Sequence, residues 1–166
     1  MKIKSLISTA LLATTALTAF AQGEAIKVEN AWVRFTVPGQ MATGAFMTLS
    51  AKNGAKLVSV SSPVAGVAQV HEMKMQAGVM TMARIKDGLD LPAGKAVELK
   101  SGGNHVMLMD LKSTLVQGAN VPLTLVFKDA KGVQSQLEIK VPVATSAPGA
   151  KAHGKEAAMD ARATAK

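Results

Sequence analysis

The chain has no cysteine and no tyrosine, and its 166 residues include a single tryptophan. Without cysteine there can be no disulfide staple, so a packed core must hold any domain together. Thiolate metal sites and thiol catalysis are excluded with it. Scarce aromatics leave no stacking platform for bases, and no dense basic patch stands out, which argues against nucleic-acid binding. Long apolar runs are also missing. The one candidate, Leu6 to Phe20, falls short of the roughly 20 residues that cross a bilayer. Helical periodicity is absent too: no window of residues 24–145 repeats its apolar positions every 3.6 residues over three turns. Parallel α/β architecture needs crossover helices, and there is no room for them.

What is present divides the chain into three. Residues 1–21 follow the plan of a secretory signal, with Lys2 and Lys4 at the start, an apolar stretch, and Ala19-Phe20-Ala21 as a cleavage site. Cleavage after Ala21 and export are expected, and the mature chain is then not membrane-spanning. Residues 22–145 form the expected domain. Residues 146–166 are small, polar and unpatterned, and read as a disordered tail containing His153 and Met159. The formal charge of +8 places +2 on the signal, +4 on the domain and +2 on the tail. A mild positive charge of this kind favours an acidic partner or surface.

The domain reads as short strands separated by turns. Strands are expected at 31–37, 44–49, 56–61, 67–75, 79–85, 96–100, 105–111, 121–127 and 134–141. Turn chemistry fills the gaps, as in Pro38-Gly39, Asn53-Gly54, Asp87-Gly88, Gly102-Gly103-Asn104 and Lys131-Gly132. Many short strands at this spacing predict an antiparallel β-sandwich or barrel.

Methionine is plentiful where cysteine is absent. His71-Glu72-Met73-Lys74-Met75, Met80-Thr81-Met82 and His105-Val106-Met107-Leu108-Met109 hold two of the three histidines and six of the ten methionines. Strand alternation puts His71, Met73 and Met75 on one face, Met80, Met82 and Arg84 on one face, and His105, Met107 and Met109 on one face. Each strand also offers an opposite face for the core, with Val79, Thr81, Ala83 and Ile85 opposite in the second. A turn at Gln76-Ala77 sets His71 against Met82. A turn at Ala77-Gly78 sets Met73 against Met82, with His71 on the diagonal, and glycine favours this register. Either way His71 and Met82 share a face. How the third strand approaches is not fixed by pairing patterns. A strand methionine is commonly core filler, and Met41 and Met47 are read so. Paired His and Met at i, i+2 spacing, repeated on two strands, point instead to a metal. Oxygen-loving calcium and magnesium are a poor match, as is structural zinc. Imidazole with thioether fits copper, above all Cu(I), and the missing thiolate excludes a blue-copper electron carrier.

These segments resemble the periplasmic copper-A chaperones, the PCu(A)C domain. Ten residues separate His71 from Met82, and 22 more precede His105-Val106-Met107. Ala31-Trp32-Val33-Arg34, Ser62-Pro63-Val64-Ala65, Leu91-Pro92-Ala93-Gly94 and Val121-Pro122-Leu123-Thr124-Leu125 add to the likeness, which covers nearly all of residues 25–142. The resemblance implies a cupredoxin-like β-sandwich binding Cu(I) through His71, Met82, His105 and Met107. It leaves Met73 as an accessory donor or lid, Met75, Met80 and Met109 as surrounding packing, and Trp32 and Arg34 as structural. It also implies a periplasmic location and copper delivery to respiratory cytochrome oxidase, to an oxidase subunit directly or alongside a Sco-type thiol protein. Extra copper on the tail, as in relatives with His- and Met-rich extensions, has only His153 and Met159 to rest on. No nucleophile–base–orienter set marks an enzyme. The alternatives are a copper buffer or resistance protein without a dedicated client, and a plain β-sandwich interaction module with methionine in its core.

Overall fold

The computed structural model describes residues 26–148. The expected signal segment, its cleavage site and the tail donors His153 and Met159 lie outside the described residues. Ten strands follow in order: β1 Ile26–Arg34, β2 Ala42–Ala51, β3 Ala55–Ser61, β4 Ala65–Gln76, β5 Val79–Arg84, β6 Leu89–Leu91, β7 Ala96–Leu99, β8 His105–Leu111, β9 Asn120–Lys128 and β10 Gln134–Ala144. No helix among the described residues is long and apolar enough to cross a membrane.

The strands pack as the expected β-sandwich. One layer runs β5-β4-β8-β2-β1, with β7 continuing the line of β8 along β2, and the other runs β10-β9-β3-β6. Pairing is antiparallel except where the end of β10 meets β1, with Val33 beside Val143 and Arg34 beside Ala144. That short parallel contact carries β10 from one layer to the other. Alternation explains why these segments are strands. In β9, Val121, Leu123, Leu125 and Phe127 are buried while the residues between them face outward. Across the core they join Leu49, Leu57, Leu99, Val106, Leu108 and Val141.

Three features of the strands differ from expectation. The β6 strand is absent from the expected set, because three residues between two turns carry too short a pattern; its Leu89 and Leu91 are nonetheless buried. The β1 strand begins at Ile26, and a register shift between Glu29 and Trp32, with Asn30 at φ 52°, lets it continue past an irregularity. It also stops at Arg34, because Thr36 leaves the ladder to exchange hydrogen bonds with Leu115: its N–H donates to the Leu115 carbonyl, and its hydroxyl oxygen accepts from the Leu115 N–H.

The outer face of the larger layer carries the rings and the sulfur donors. On β1 and β2, Val33, Ala45 and Met47 turn inward, so Trp32, Gly44 and Phe46 turn outward. Trp32 and Phe46 lie with ring centroids 4.7 Å apart, and the Arg34 guanidinium sits 5.4 Å above the Phe46 ring. These contacts bury Phe46 on the outer face and give Trp32 and Arg34 the structural roles expected of them. The ring lies down over Gly44, where a Cβ would come within 2.7 Å of the Phe46 Cζ. Pinned beneath Trp32 and Arg34, the ring has little room to yield. Gly44→Ala is therefore expected to destabilise the fold by about 1–3 kcal/mol, the usual cost of overpacking. Denaturant unfolding measures this, and an unchanged midpoint would show that the ring is free to move.

Candidate metal centre

The β4 strand carries the first histidine between two neighbours. On one side β8 pairs with it so that His71 lies beside His105 and Gln69 beside Met107. On the other, β5 pairs so that His71 lies beside Arg84, Met73 beside Met82 and Met75 beside Met80. This is the register expected from a turn at Ala77-Gly78, whose φ values of 48° and 81° are those of a tight hairpin. The approach of the third strand is now explicit: β8 lies directly against β4.

The buried partners fix which way these side chains point. Val70, Val106 and Leu108 face the core. His71, Met73, His105 and Met107 therefore share the outer face with Phe46. Four rings line up across four strands, with centroids 4.7 Å apart for Trp32–Phe46, 6.4 Å for Phe46–His105 and 6.1 Å for His105–His71. Rows of this face are separated by about 7 Å along the strands. Met107 lies one row to one side of the histidine pair, and Met73 one row to the other. Met82 shares the Met73 row but sits one strand further out. Met73, expected as an accessory, is thus placed at least as near the pair as Met82.

Hydrogen bonds set the histidine tautomers. The His105 Nδ1–H donates to the Gly103 carbonyl at 2.9 Å, which leaves Nε2 with its lone pair on the outer face. Lys100–Asn104 bulges between β7 and β8, with the Lys100 N–H donating to the Asn104 carbonyl at 2.6 Å, and so holds Gly103 in place. The His71 Nε2–H donates to Gln69 Oε1 at 3.3 Å. Its Nδ1 is buried and has no hydrogen-bond partner. A buried lone pair without a donor is costly, and a metal ion is one group that would satisfy it. Among the described residues no three His, Cys, Asp or Glu side chains are placed to hold a metal. The further donors that this face offers are thioether sulfurs, which suit a soft cation.

Gln69 and Gly103 are site residues beyond those expected from the sequence. Gln69 is open to detection there, being two residues before His71 on the same face. Gly103 is not, because its role depends on a backbone carbonyl. Two other expectations change. Met75 and Met80 are 65% and 46% exposed and are not packing, and Met41 is 58% exposed in the segment before β2, whereas Met47 is in the core as expected. The back face of β5 does not reach the core, since Val79 is exposed and only Ile85, just beyond β5, packs there. The back of the hairpin is not buried, and a Lys74–Glu72 ion pair at 2.6 Å and a Thr81 bond to the Lys74 carbonyl line it.

The sandwich is cupredoxin-like, as in PCuAC domains. A family model described as "Putative lipoprotein LpqE-like" matches residues 26–143, and the chain belongs to that family, the family of PCuAC domains. It is 33% identical over 132 residues to "Putative lipoprotein Lxx21020" of Leifsonia xyli, covering 80% of this chain and 77% of that protein. Among solved structures it is similar to the copper-bound PCuAC domain from PmoF2, at 28% identity and TM-score 0.57, covering 72% of this chain and 92% of that one. It is also similar to the Cu(I) form of DR1885 from Deinococcus radiodurans, at 30% identity and TM-score 0.56, covering 77% and 84%.

Burial, then the nearby His105, then the Arg84 guanidinium push the His71 pKa below the ordinary imidazole value. Between about 6.5 and that lowered value, the unfolded chain takes up a proton that the folded one refuses. Stability is therefore fully present above the ordinary value and declines as pH falls through this window. An NMR titration of the His71 ring should give a midpoint below 6.5, and Arg84→Gln should move it upward. A midpoint at or above the ordinary value would show that neither burial nor charge acts on the ring.

Proposed function

We propose that this protein is an exported Cu(I) carrier, a metallochaperone of the respiratory oxidase assembly route. His71 and His105 hold the ion with Met107, Met82 and the additional Met73. The observation that carries the reading is the paired imidazoles on the face that bears Met73, Met82 and Met107, each with one nitrogen engaged by Gln69 or Gly103, and with the other nitrogen of His71 buried and unpartnered. Copper-bound and Cu(I) forms of similar domains, and the lipoprotein names of relatives, support copper as cargo and export as its setting.

The donor set suits a carrier. Imidazole and thioether are neutral, so the ion keeps its charge and is drawn to anionic thiolates on an acceptor. A half-exposed Met82 leaves one side open, so an incoming ligand can enter before the last donor leaves. The acceptor chemistry is a pair of cysteine thiolates or a copper-A-type centre, on an oxidase subunit or a Sco-type thiol protein. Residues 22–145 are the carrier domain, and after removal of residues 1–21 the site faces the periplasm.

Competition with a Cu(I) chelator should show one tightly held ion per chain, with zinc far weaker. Zinc of comparable strength would contradict a thioether site. Gln69→Leu should weaken Cu(I) binding by about 10–100-fold, the usual loss when a ligand's orienting partner is removed. His71→Ala should weaken it more, and Met73→Leu at least as much as Met82→Leu.

Hand-off is tested separately. Copper should pass from the loaded protein to an apo dithiol domain at a rate that rises with acceptor concentration and exceeds spontaneous release. A rate equal to the off-rate would favour a buffer without a dedicated client.

A further inference from the structure

The β4–β5 hairpin bears more thioether than the proposed carrier site uses. Met75 and Met80 are direct partners across the hairpin, so their Cβ atoms are about 5 Å apart. Alternation puts both on the face that carries Met73, Met82 and His71. They lie two rows from the histidine pair, or about 13–14 Å along the strand. One ion cannot be shared across that distance. Both are exposed, at 65% and 46%, which is an unusual place for two large hydrophobes with no core to fill.

Charge defines the direction of approach. Arg84 lies beside His71 on the outermost strand, and Arg34 covers Phe46 at the other end of the ring row. A cation coming across the strands meets a guanidinium from either side. Along the hairpin axis, from its tip, it meets thioethers in succession: Met75 with Met80, then Met73 with Met82. Lys74 points to the opposite face and is paired with Glu72, and Lys100, just past β7, is neutralised by Glu98.

We infer that Met75 and Met80 form a second, weaker Cu(I) site at the hairpin tip, through which the ion reaches the histidine pair. Two thioethers suffice for a soft d10 ion that tolerates low coordination numbers, and they compete poorly with a site containing two imidazoles. Met73 and Met82, one row from each site, are the shared intermediate donors. No electron is transferred; the ion only exchanges neutral ligands. The inference rests on the carrier reading for the inner site, and the experiment separates the two.

Cu(I) is titrated into the full mature chain under reducing, anaerobic conditions while the methionine methyl and histidine ring resonances are followed by NMR. The first equivalent should move the His71 and His105 rings, and the second should move the Met75 and Met80 methyls together. Histidine rings that never respond would defeat the carrier reading, while the Met75 and Met80 methyls still report on the outer site. Methyls of Met75 and Met80 that stay unmoved, or a second equivalent that moves Met159 alone, would overturn the outer site. In Met75→Leu/Met80→Leu the second-equivalent response should be lost, first-site affinity kept, and uptake from a Cu(I)–chelator complex slowed. Leucine preserves the apolar surface, so a face serving only for protein contact would not notice the change. An uptake rate unaffected by the double variant would overturn the role of this pair as an entry.

Discussion

The pairing of β4 with β8 is the constraint on which the rest depends. It sets His71 beside His105, and the same register sets Val70 beside Val106 underneath. Those valines are 7% and 0% exposed. A slip of β4 by one residue against β8 would turn His71 into the core and Val70 out to solvent, and would part the two imidazoles. Hydrophobic packing on the inner face thus holds the polar geometry of the outer face. The Lys100–Asn104 bulge adds the Gly103 carbonyl, which fixes one ring. Gln69, two residues back along β4, fixes the other.

The outer face has an unusual electrostatic character. Its imidazole and thioether groups are neutral, guanidinium groups stand at the two ends of the ring row, and the Glu98 carboxylate on the outward side of β7 is paired with Lys100. Most metal sites offset the ion's charge with carboxylate or thiolate. Here neither histidine has a carboxylate or thiolate directly beside it, an environment that penalises a divalent ion more than a monovalent one. The face also grades from rigid to exposed. At the Trp32 end, rings are packed and buried. At the hairpin end, Met75, Met80 and Met82 stand in solvent. A carrier needs both qualities, one for retention and one for exchange.

Much of this is legible in the linear chain. Turn residues and alternation locate nine of the ten strands, because a half-buried strand writes its burial into every second residue. The hairpin register follows from the conformational freedom of Gly78, and the shared face of His71, Met73 and Met82 follows from the register. Local chemistry also separates soft from hard metals, since the absence of cysteine and the repeated His-x-Met need no fold to interpret. The misreadings have a common cause. Met75 and Met80 read as packing, and the back of β5 as a core face, because alternation marks two faces without telling whether anything covers them.

Long-range placement was decided only in three dimensions. His71 and His105 are separated by more than thirty residues, and nothing local brings β8 rather than another strand against β4. The ring row through Phe46 and Trp32, the tautomers set by Gly103 and Gln69, and the nearness of Met73 all arise from that choice of neighbour. Side-chain alternation is a property of one strand and survives in the sequence. Strand order is a property of the whole core, settled by which set of inward faces packs without voids, and no single segment contains it.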